Sequence, residues 1–404
     1  MASAFFLISS LVLTFGVTGT SYDHFAHLAR AFLEGKLYFL DDVASGPPAE
    51  LLDTVFWHGK YYWHLGPFPA VLLLPLAAWA GTFGYAFSQA HIHFFITAAV
   101  FALAFLVARR FRFSITDALY LAFAFCFGSA YQYIAFVPHS WYFAQAVAAC
   151  CVFAALLEYF SRRRWWLIGI LMGATLLTRF TAGLGVLFFI AAIVGSRQES
   201  PRDKILFLAR LLMPVVVSAA LFLSYNHLRF GDPFETGYRL SNNATWNASQ
   251  RFELLRYGVF QFRNIPTNFY YYFIKTVDPV LLGVKSFFGD TYVLKPPYVR
   301  VAYPGAGFFV TAPFFIYLFR ANFKERVAKH ALIPIVVILP IILAYYWPGW
   351  TQVGPRYTLD FLPFAFLLTL TAFSGARLST LAKMLILGGA FFNLYLVATL
   401  ASPV

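Results

Sequence analysis

The ionisable residue with the clearest chemical use follows the first apolar run of the chain. Asp23 stands in the run Ser21-Tyr22-Asp23-His24, just after residues 1–20. A carboxylate at the boundary of an apolar medium is partly desolvated, which raises its pKa. Such a group can act as a general base that takes a proton from a hydroxyl. A helix cap is the alternative, because Asp is a preferred N-cap and an amphipathic pattern follows it.

A second group of chemically useful residues lies between 53 and 67. Asp53, His58, Lys60 and His64 alternate there with aromatic residues such as Tyr61. Lys60 is a candidate phosphate ligand, the aromatic faces suit a sugar, and two histidines with an aspartate are ligand types for a divalent metal. The alternative is an aromatic belt at a membrane interface, with the lysine extending along it.

Two arginines stand at the ends of apolar runs. Arg179 lies in GATLLTRFTAGLG, and Arg356 is followed by Tyr357 and Asp360 in QVGPRYTLD. An arginine near the membrane is costly and tends to bind an anion, although a snorkelling side chain is the alternative. Asp360 either forms a simple i,i+4 pair with Arg356 or orients it as a phosphate clamp. His139, in a further short loop, is another candidate.

The elements that hold these residues must be membrane helices. The 404 residues are 60% hydrophobic and only 12% charged, whereas soluble domains carry about 25% charged residues. The composition predicts an all-α polytopic membrane protein. The net charge of +13 comes from basic clusters between apolar runs, which indicates membrane topology and no nucleic-acid partner.

The apolar runs predict eleven transmembrane helices. They lie near 1–20, 92–108, 114–135, 142–160, 165–178, 180–196, 205–225, 301–319, 331–347, 357–375 and 383–401. The basic clusters between them share one side only if a twelfth apolar run, 67–87, does not cross, so we interpret it as re-entrant or interfacial. The N-terminus is then inside and the C-terminus outside, and two long loops, 21–91 and 226–300, face outward and hold most of the acidic residues.

Several segments, in order along the chain, resemble one superfamily. They are the region of Asp23, YYWHLGPFPAVLLLP (61–75), GATLLTRFTAGL (173–184), YNHLRFGDPFETGY (225–238), YPGAGFFVTAPFF (303–315) and QVGPRYTLDFLPF (352–364). With them the chain resembles the GT-C superfamily of integral-membrane glycosyltransferases. More narrowly, it resembles bacterial members akin to protein O-mannosyltransferases and aminoarabinose transferases.

The resemblance implies an enzyme of the bacterial inner membrane with a GT-C-like bundle of about eleven helices and a semi-embedded first outer loop. Such enzymes transfer a sugar, with inversion, from a polyprenyl-phosphate carrier to a hydroxyl acceptor on the outer face. Relatives often carry a soluble C-terminal domain, whereas here we expect a single transmembrane domain over 1–404. A flippase for lipid-linked glycans, and a polymerase or ligase that uses diphosphate-linked glycans, are the alternatives.

The resemblance also assigns expected roles to individual residues. Asp23 is the expected catalytic base, with Asp53 as the alternative, because His24 stands where many members have a second acidic residue. That departure leaves dependence on a divalent metal open, and no other cofactor is expected. The expected phosphate ligands are Arg179, Arg356 and Lys60. The expected substrate contacts are His24, Asp53, Tyr61, His139, Tyr357 and Asp360.

Overall fold

The computed structural model describes residues 2–16, 22–240, 248–286, 289–349, 352–373, 375 and 377–401, and most of them are helical. The α-helices are α1 Ala2–Gly16, α2 His24–Leu33, α3 Asp41–Ala44, α4 Phe68–Thr82, α5 Ala90–Arg110, α6 Ile115–Cys126, α7 Tyr131–Phe136, α8 Ser140–Tyr159, α9 Trp165–Leu176, α10 Phe180–Gly183, α11 Val186–Val194, α12 Pro201–Phe230, α13 Ala248–Tyr257, α14 Ile265–Phe269, α15 Phe308–Thr311, α16 Arg326–Ala344, α17 Leu362–Thr371 and α18 Thr380–Ala401. Short 3₁₀ segments are Pro48–Leu51, Phe262–Asn264, Pro313–Arg320 and Arg356–Asp360, and a π-helical turn covers Tyr270–Ile274.

Five of these helices are long and apolar enough to cross a membrane, so the chain is an integral membrane protein. They are α5, α8, α12, α16 and most of α18. Six shorter apolar segments accompany them in the described ranges. Several of the predicted spans are interrupted: 114–135 is divided into α6 and α7 around Gly128, and 301–319 contains only α15 and a 3₁₀ segment. The count of eleven crossings therefore stays a prediction.

Two β-hairpins correct the expectation of an all-α protein. In the first, β1 (Thr54–Trp57) pairs antiparallel with β2 (Lys60–Trp63), so that Thr54 faces Trp63. His58 and Gly59 in the turn both have positive φ, at 48° and 75°, as tight two-residue hairpin turns require. In the second, β3 (Asp278–Ser286) pairs with β4 (Gly289–Arg300). Both hairpins lie in the predicted outer loops.

The long helices differ in how much of their surface the protein covers. In α8, 78% of the apolar span is buried, against 17% in α12. The helix α8 therefore runs through the core, where Phe153 packs edge-on against Phe125 with ring centroids 4.6 Å apart. The helix α12 lies at the periphery, where exposed side chains such as Met213 and Val216 are suited to lipid. The central helix begins just after His139, so the core fixes one wall of the candidate site.

Candidate functional site

A cavity of about 1600 Å³ is lined by candidate residues from distant parts of the chain. Its walls come from the first hairpin region, the start of α8, the junction of α9 and α10, the end of α12 and the segments after it, the end of α16, and the 3₁₀ turn before α17. The predicted site residues that line it are Asp53, His139, Arg179, Arg356, Tyr357 and Asp360. Tyrosines dominate the rest of the wall: Tyr22, Tyr133, Tyr142, Tyr238, Tyr257, Tyr345 and Tyr346.

Arg179 is tied to Asp360 in this cavity. Its Nε and Nη2 atoms donate to the two carboxylate oxygens at 2.7 and 3.0 Å, and the Thr181 hydroxyl donates to the same carboxylate. Burial by itself would lower the pKa of Arg179, but the charge and hydrogen bonds of Asp360 raise it overall. The expectation that Asp360 pairs with or orients Arg356 is wrong. Residues 356–360 form a 3₁₀ turn, which has three residues per turn and does not place residues i and i+4 on one face.

Arg356 is a buried cation that forms no ion pair with the residues that the structure describes. Its guanidinium lies over the rings of Tyr142 and Tyr357, 5.0 and 5.1 Å from their centroids. Nη2 donates to the Tyr357 hydroxyl at 3.4 Å, whereas Nε is buried without a partner. Burial would lower the pKa of Arg356, but nearby tyrosines and Asp53 raise it. A charged guanidinium with an unsatisfied donor is a ready binding group for an anion.

His139 stands beside this arginine as a neutral side chain. Its ring is 4.8 Å from that of Tyr22 and stacks near Tyr142 at 5.8 Å. Burial, and then the charge of Arg356, lower the pKa of His139 to about 4. The imidazole is therefore uncharged at neutral pH, and it offers hydrogen bonds to a ligand without adding a second positive charge.

Asp53 brings a carboxylate to the same cavity. It lies between the 3₁₀ segment Pro48–Leu51 and β1, with a left-handed φ of 59°. Its backbone carbonyl accepts a hydrogen bond from Nδ1 of His64 at 2.7 Å. Its negative charge acts on Arg356 and on Tyr238 across the cavity. Asp53, the alternative base in the sequence, thus lines the same cavity as Arg356, which has no carboxylate partner in the part of the chain that the structure describes.

Asp23 lies next to the cavity and is not one of its lining residues. It occupies the N-cap position of α2, but its side chain makes no capping hydrogen bond. Burial raises the pKa of Asp23, while a hydrogen bond from Ser88 and the charge of His27 oppose the rise. This agrees with the expected desolvation. Because its neighbour Tyr22 lines the cavity instead, the catalytic role of Asp23 stays a prediction.

Three other predicted site residues also lie away from the cavity lining. His24 is fully buried, stacked on Trp63 with ring centroids 3.9 Å apart. Tyr61 packs against Phe56 on the first hairpin, and the Lys60 ammonium lies 4.7 Å above the ring of Tyr38. Lys60, next to the hairpin turn, does not line the cavity. Of residues 60–64, only His64, directly after β2, lines it.

The structure brings together no metal site from these residues. Across the described ranges, no group of three or more His, Cys, Asp or Glu side chains is arranged to hold a metal ion. His58 stacks on Trp57 at the turn of the first hairpin, and the His64 ring is held by the Asp53 backbone. The suggested combination of His58, His64 and Asp53 is therefore not a metal centre in this fold.

Several lining residues were not singled out as site residues from the sequence. The segment after α12 contributes Asp232, Glu235, Tyr238 and Arg239, and the end of α16 contributes Tyr345 and Tyr346. The run YNHLRFGDPFETGY (225–238), one of the segments that resemble the GT-C superfamily, contains Asp232, Glu235 and Tyr238, and Arg239 follows it directly. Its combination of aromatic and charged residues was the available sign of a binding wall.

The fold is similar to that of solved structures of ArnT. The chain is similar to ArnT from Cupriavidus metallidurans bound to undecaprenyl phosphate, with a TM-score of 0.52 and 15% identity, and to the apo state of ArnT, with a TM-score of 0.51 and 17% identity. Each match covers 98% of this chain and 63% of that chain. The apo Archaeoglobus fulgidus oligosaccharyltransferase has a TM-score of 0.46 at 13% identity, over 98% of this chain and 55% of that one. No family model and no curated protein matches.

The likeness to the two ArnT structures confirms the predicted resemblance in fold alone. The chain spans less than two thirds of the length of the ArnT chains that it matches.

Proposed function

We propose that the chain transfers a sugar, with inversion, from a polyprenyl-phosphate carrier to a hydroxyl acceptor at the outer face of a bacterial inner membrane. The observation that carries the proposal is that one cavity holds both a cation and a carboxylate: Arg356 is buried without an ion-pair partner in the described chain, and Asp53 lines the same cavity. The undecaprenyl phosphate in the similar ArnT structure supports the class of the donor.

The arginine suits the leaving group of this reaction. When the bond between the anomeric carbon and the phosphate oxygen breaks, its electron pair stays on the phosphate, which gains negative charge. A fixed guanidinium in a water-poor cavity stabilises that charge without rearranging. Arg356 has a free donor for it, whereas Asp360 already neutralises Arg179. In our proposal Arg356 is the principal phosphate ligand, and Arg179 with Asp360 forms the adjoining wall.

The carboxylate suits the acceptor side. The acceptor oxygen forms the new bond to the anomeric carbon and gives its proton to a base on the opposite side of the sugar ring. Asp53 lines the cavity and Asp23 does not, so we propose Asp53 as the base, ahead of Asp23. The tyrosines and the neutral His139 supply apolar faces and hydrogen-bonding groups for the sugar.

The outer location rests on the basic clusters of the sequence. Arg109 and Arg110 end α5, and Arg162 to Arg164 follow α8, whereas the cavity includes residues at the start of α8. If positive charge marks the inner side, the cavity opens toward the outer side. There a lipid-linked donor is available and a nucleotide sugar is not required.

A donor assay tests the proposal. The purified protein in lipid nanodiscs is given polyprenyl monophosphates that carry a hexose or a pentose, with envelope extract as the source of acceptor hydroxyls. We expect release of polyprenyl phosphate, and none from a diphosphate-linked oligosaccharide. Release only from the diphosphate-linked glycan would indicate a polymerase or ligase, and movement of intact donor without release would indicate a flippase.

Two matched carboxylate variants test the base. We expect Asp53→Asn to bind the donor and to lose turnover, because only the proton acceptor is removed. We expect Asp23→Asn, at a site outside the lining, to keep measurable turnover. The reverse result, an inactive Asp23→Asn and an active Asp53→Asn, would assign the base to Asp23.

A further inference from the structure

The side chain of His64 joins the two ends of the first hairpin. It follows β2, and its Nδ1 lies 2.7 Å from the backbone carbonyl oxygen of Asp53, which precedes β1. A carbonyl oxygen can only accept a hydrogen bond, so Nδ1 must carry the hydrogen. In the neutral ring, Nε2 then carries a lone pair. His64 is thus held in one tautomer by a backbone atom of Asp53.

The residue at the other end of this bond has an unusual backbone. Asp53 has a φ of 59°, in the left-handed region that residues other than glycine rarely occupy. Aspartate tolerates this region better than most residues. The Asp53 backbone carries the carboxylate, so a bond that restrains its carbonyl also restrains the point from which that side chain extends.

A buried arginine holds the backbone just before His64, and an aromatic ring contacts the imidazole itself. Nη1 of the buried Arg229 donates to the carbonyl of Trp63 at 2.5 Å, and Nη2 of the same residue donates to Asn226 at 2.6 Å. The ring of Tyr238 packs edge-on against His64, with centroids 4.7 Å apart. Burial, and then the charge of Arg229, lower the pKa of His64 to about 4, although the bond to Asp53 opposes this. The ring therefore stays neutral at neutral pH.

We propose that His64 is a positioning residue: by holding the Asp53 carbonyl through Nδ1–H, it sets where the Asp53 carboxylate points in the cavity. The inference rests on the proposed function, in which Asp53 takes the acceptor proton. His64 itself transfers no proton in this scheme.

Two substitutions of His64 distinguish the role of Nδ1 from that of Nε2. In His64→Asn, the amide nitrogen takes the place of Nδ1 and keeps a donor for the Asp53 carbonyl. In His64→Gln, the amide reaches the place of Nε2 and that donor is lost. Since a misplaced catalytic group can cost about 100-fold, we expect His64→Gln to lower kcat at least tenfold with an unchanged KM for the donor, whereas His64→Asn stays within a few fold of the wild type.

Equal kcat values for the two variants, whether both high or both low in protein that melts as the wild type does, would overturn the inference. So would a His64→Gln variant that changes only KM.

A measurement on the wild-type protein does not depend on catalysis. Nitrogen-15 spectra of histidine-labelled protein in nanodiscs report which ring nitrogen carries the hydrogen, and the signal absent from His64→Asn identifies His64. We expect a neutral ring protonated at Nδ1 at neutral pH. A ring protonated at Nε2 would overturn the inference whatever the enzyme does. The expected tautomer in a protein that transfers no sugar would instead overturn the proposed function, and the positioning role with it.

Discussion

Arg179 and Arg356 have similar surroundings in the sequence but different partners in the structure. The first is neutralised by a two-point contact with Asp360, and the second lies between aromatic rings with Nε unpaired. A guanidinium that already has a carboxylate partner attracts a phosphate less than one that has none. The two arginines should therefore respond differently to substitution, the first mainly in stability and the second mainly in function.

We expect Arg356→Gln to lower the rate of sugar transfer by about 10² to 10³-fold, the loss typical for one fixed donor to a developing oxyanion. The rate of polyprenyl phosphate release measures it. Lys60→Gln is the matched control, because it also removes one positive charge and its ammonium lies over Tyr38, outside the cavity lining. A larger loss in Lys60→Gln than in Arg356→Gln would contradict the assignment and restore Lys60 as the phosphate ligand expected from the sequence.

Removing Asp360 should destabilise the protein by leaving Arg179 charged and unpaired. The two side chains are only 12% and 2% exposed, and breaking a buried ion pair costs about 3–5 kcal/mol. We expect Asp360→Asn to melt at a clearly lower temperature in detergent. The double variant Arg179→Met with Asp360→Leu should recover much of the loss, because no unpaired charge remains. A double variant no more stable than Asp360→Asn would mean that the ion pair is not the source of the effect.

At the scale of elements, the sequence predicted the helices that a lipid environment requires. It did not predict the structure that depends on contacts between remote parts of the chain. An apolar run long enough to cross a bilayer must be helical, because lipid offers the backbone no hydrogen bonds. The predicted runs 92–108, 142–160 and 331–347 accordingly fall on α5, α8 and α16.

The candidate site was predicted less completely, because its contacts join remote parts of the chain. Asp360 pairs with Arg179, 181 positions away, and no local pattern carries that information. The sequence had offered only the neighbour at i,i+4, Arg356. The turn of the first hairpin likewise carried Lys60 and Tyr61 away from the cavity lining, although they stand close to Asp53 in the sequence.

Close packing of α9 against α12 depends on two glycines in α9. A Cβ added to Gly169 would lie 2.3 Å from the carbonyl oxygen of Leu211, and one added to Gly173 would lie 2.3 Å from Oγ of Ser218. Small residues four apart are a common way for membrane helices to approach each other. Both helices contribute to the cavity wall, α9 with Leu176 and α12 with Phe222 and Leu223, so their spacing also sets its width.

We therefore expect Gly169→Ala to lower the melting temperature and to weaken donor binding, since a backbone oxygen must move to admit the methyl group. Gly388→Ala in α18 is the matched control, because a Cβ there meets nothing within 4 Å. In a helix that change should be neutral or stabilise by up to about 1 kcal/mol. Equal melting temperatures for the two variants would show that the two helices are not held at this distance.

At the scale of the whole molecule, the side of the membrane on which the cavity opens depends on whether α4 crosses the membrane. The first residue of α4 contacts the segment just after α9, since the Phe68 amide donates to the Leu177 carbonyl at 3.2 Å. On the far side of α4, the Gln89 amide donates to the carbonyls of Pro138 and Tyr22, at 2.6 and 3.2 Å. Gly66, which precedes α4, and Tyr22, which Gln89 contacts, line the same cavity.

The length of α4, like the contacts of its two flanks, indicates that the helix does not cross the membrane. Its 15 residues extend about 22 Å at 1.5 Å per residue, less than the roughly 30 Å of a hydrocarbon core. We therefore propose that α4 leaves and returns on one side of the membrane, as the basic clusters of the sequence had suggested for 67–87.

Cysteine labelling tests this topology without a probe on α4 itself. In a variant with Cys126, Cys150 and Cys151 replaced by alanine, Lys60→Cys and Arg110→Cys are compared in intact cells with a membrane-impermeant maleimide. If α4 does not cross, only α5 separates the two positions and they lie on opposite sides, so we expect Lys60→Cys to react from outside and Arg110→Cys only after the membrane is permeabilised. If α4 also crosses, two helices separate them and both must react from the same side. That result would reverse the topology from α4 onward or place the first hairpin inside, and the cavity could then no longer be assigned to the outer face from the basic clusters.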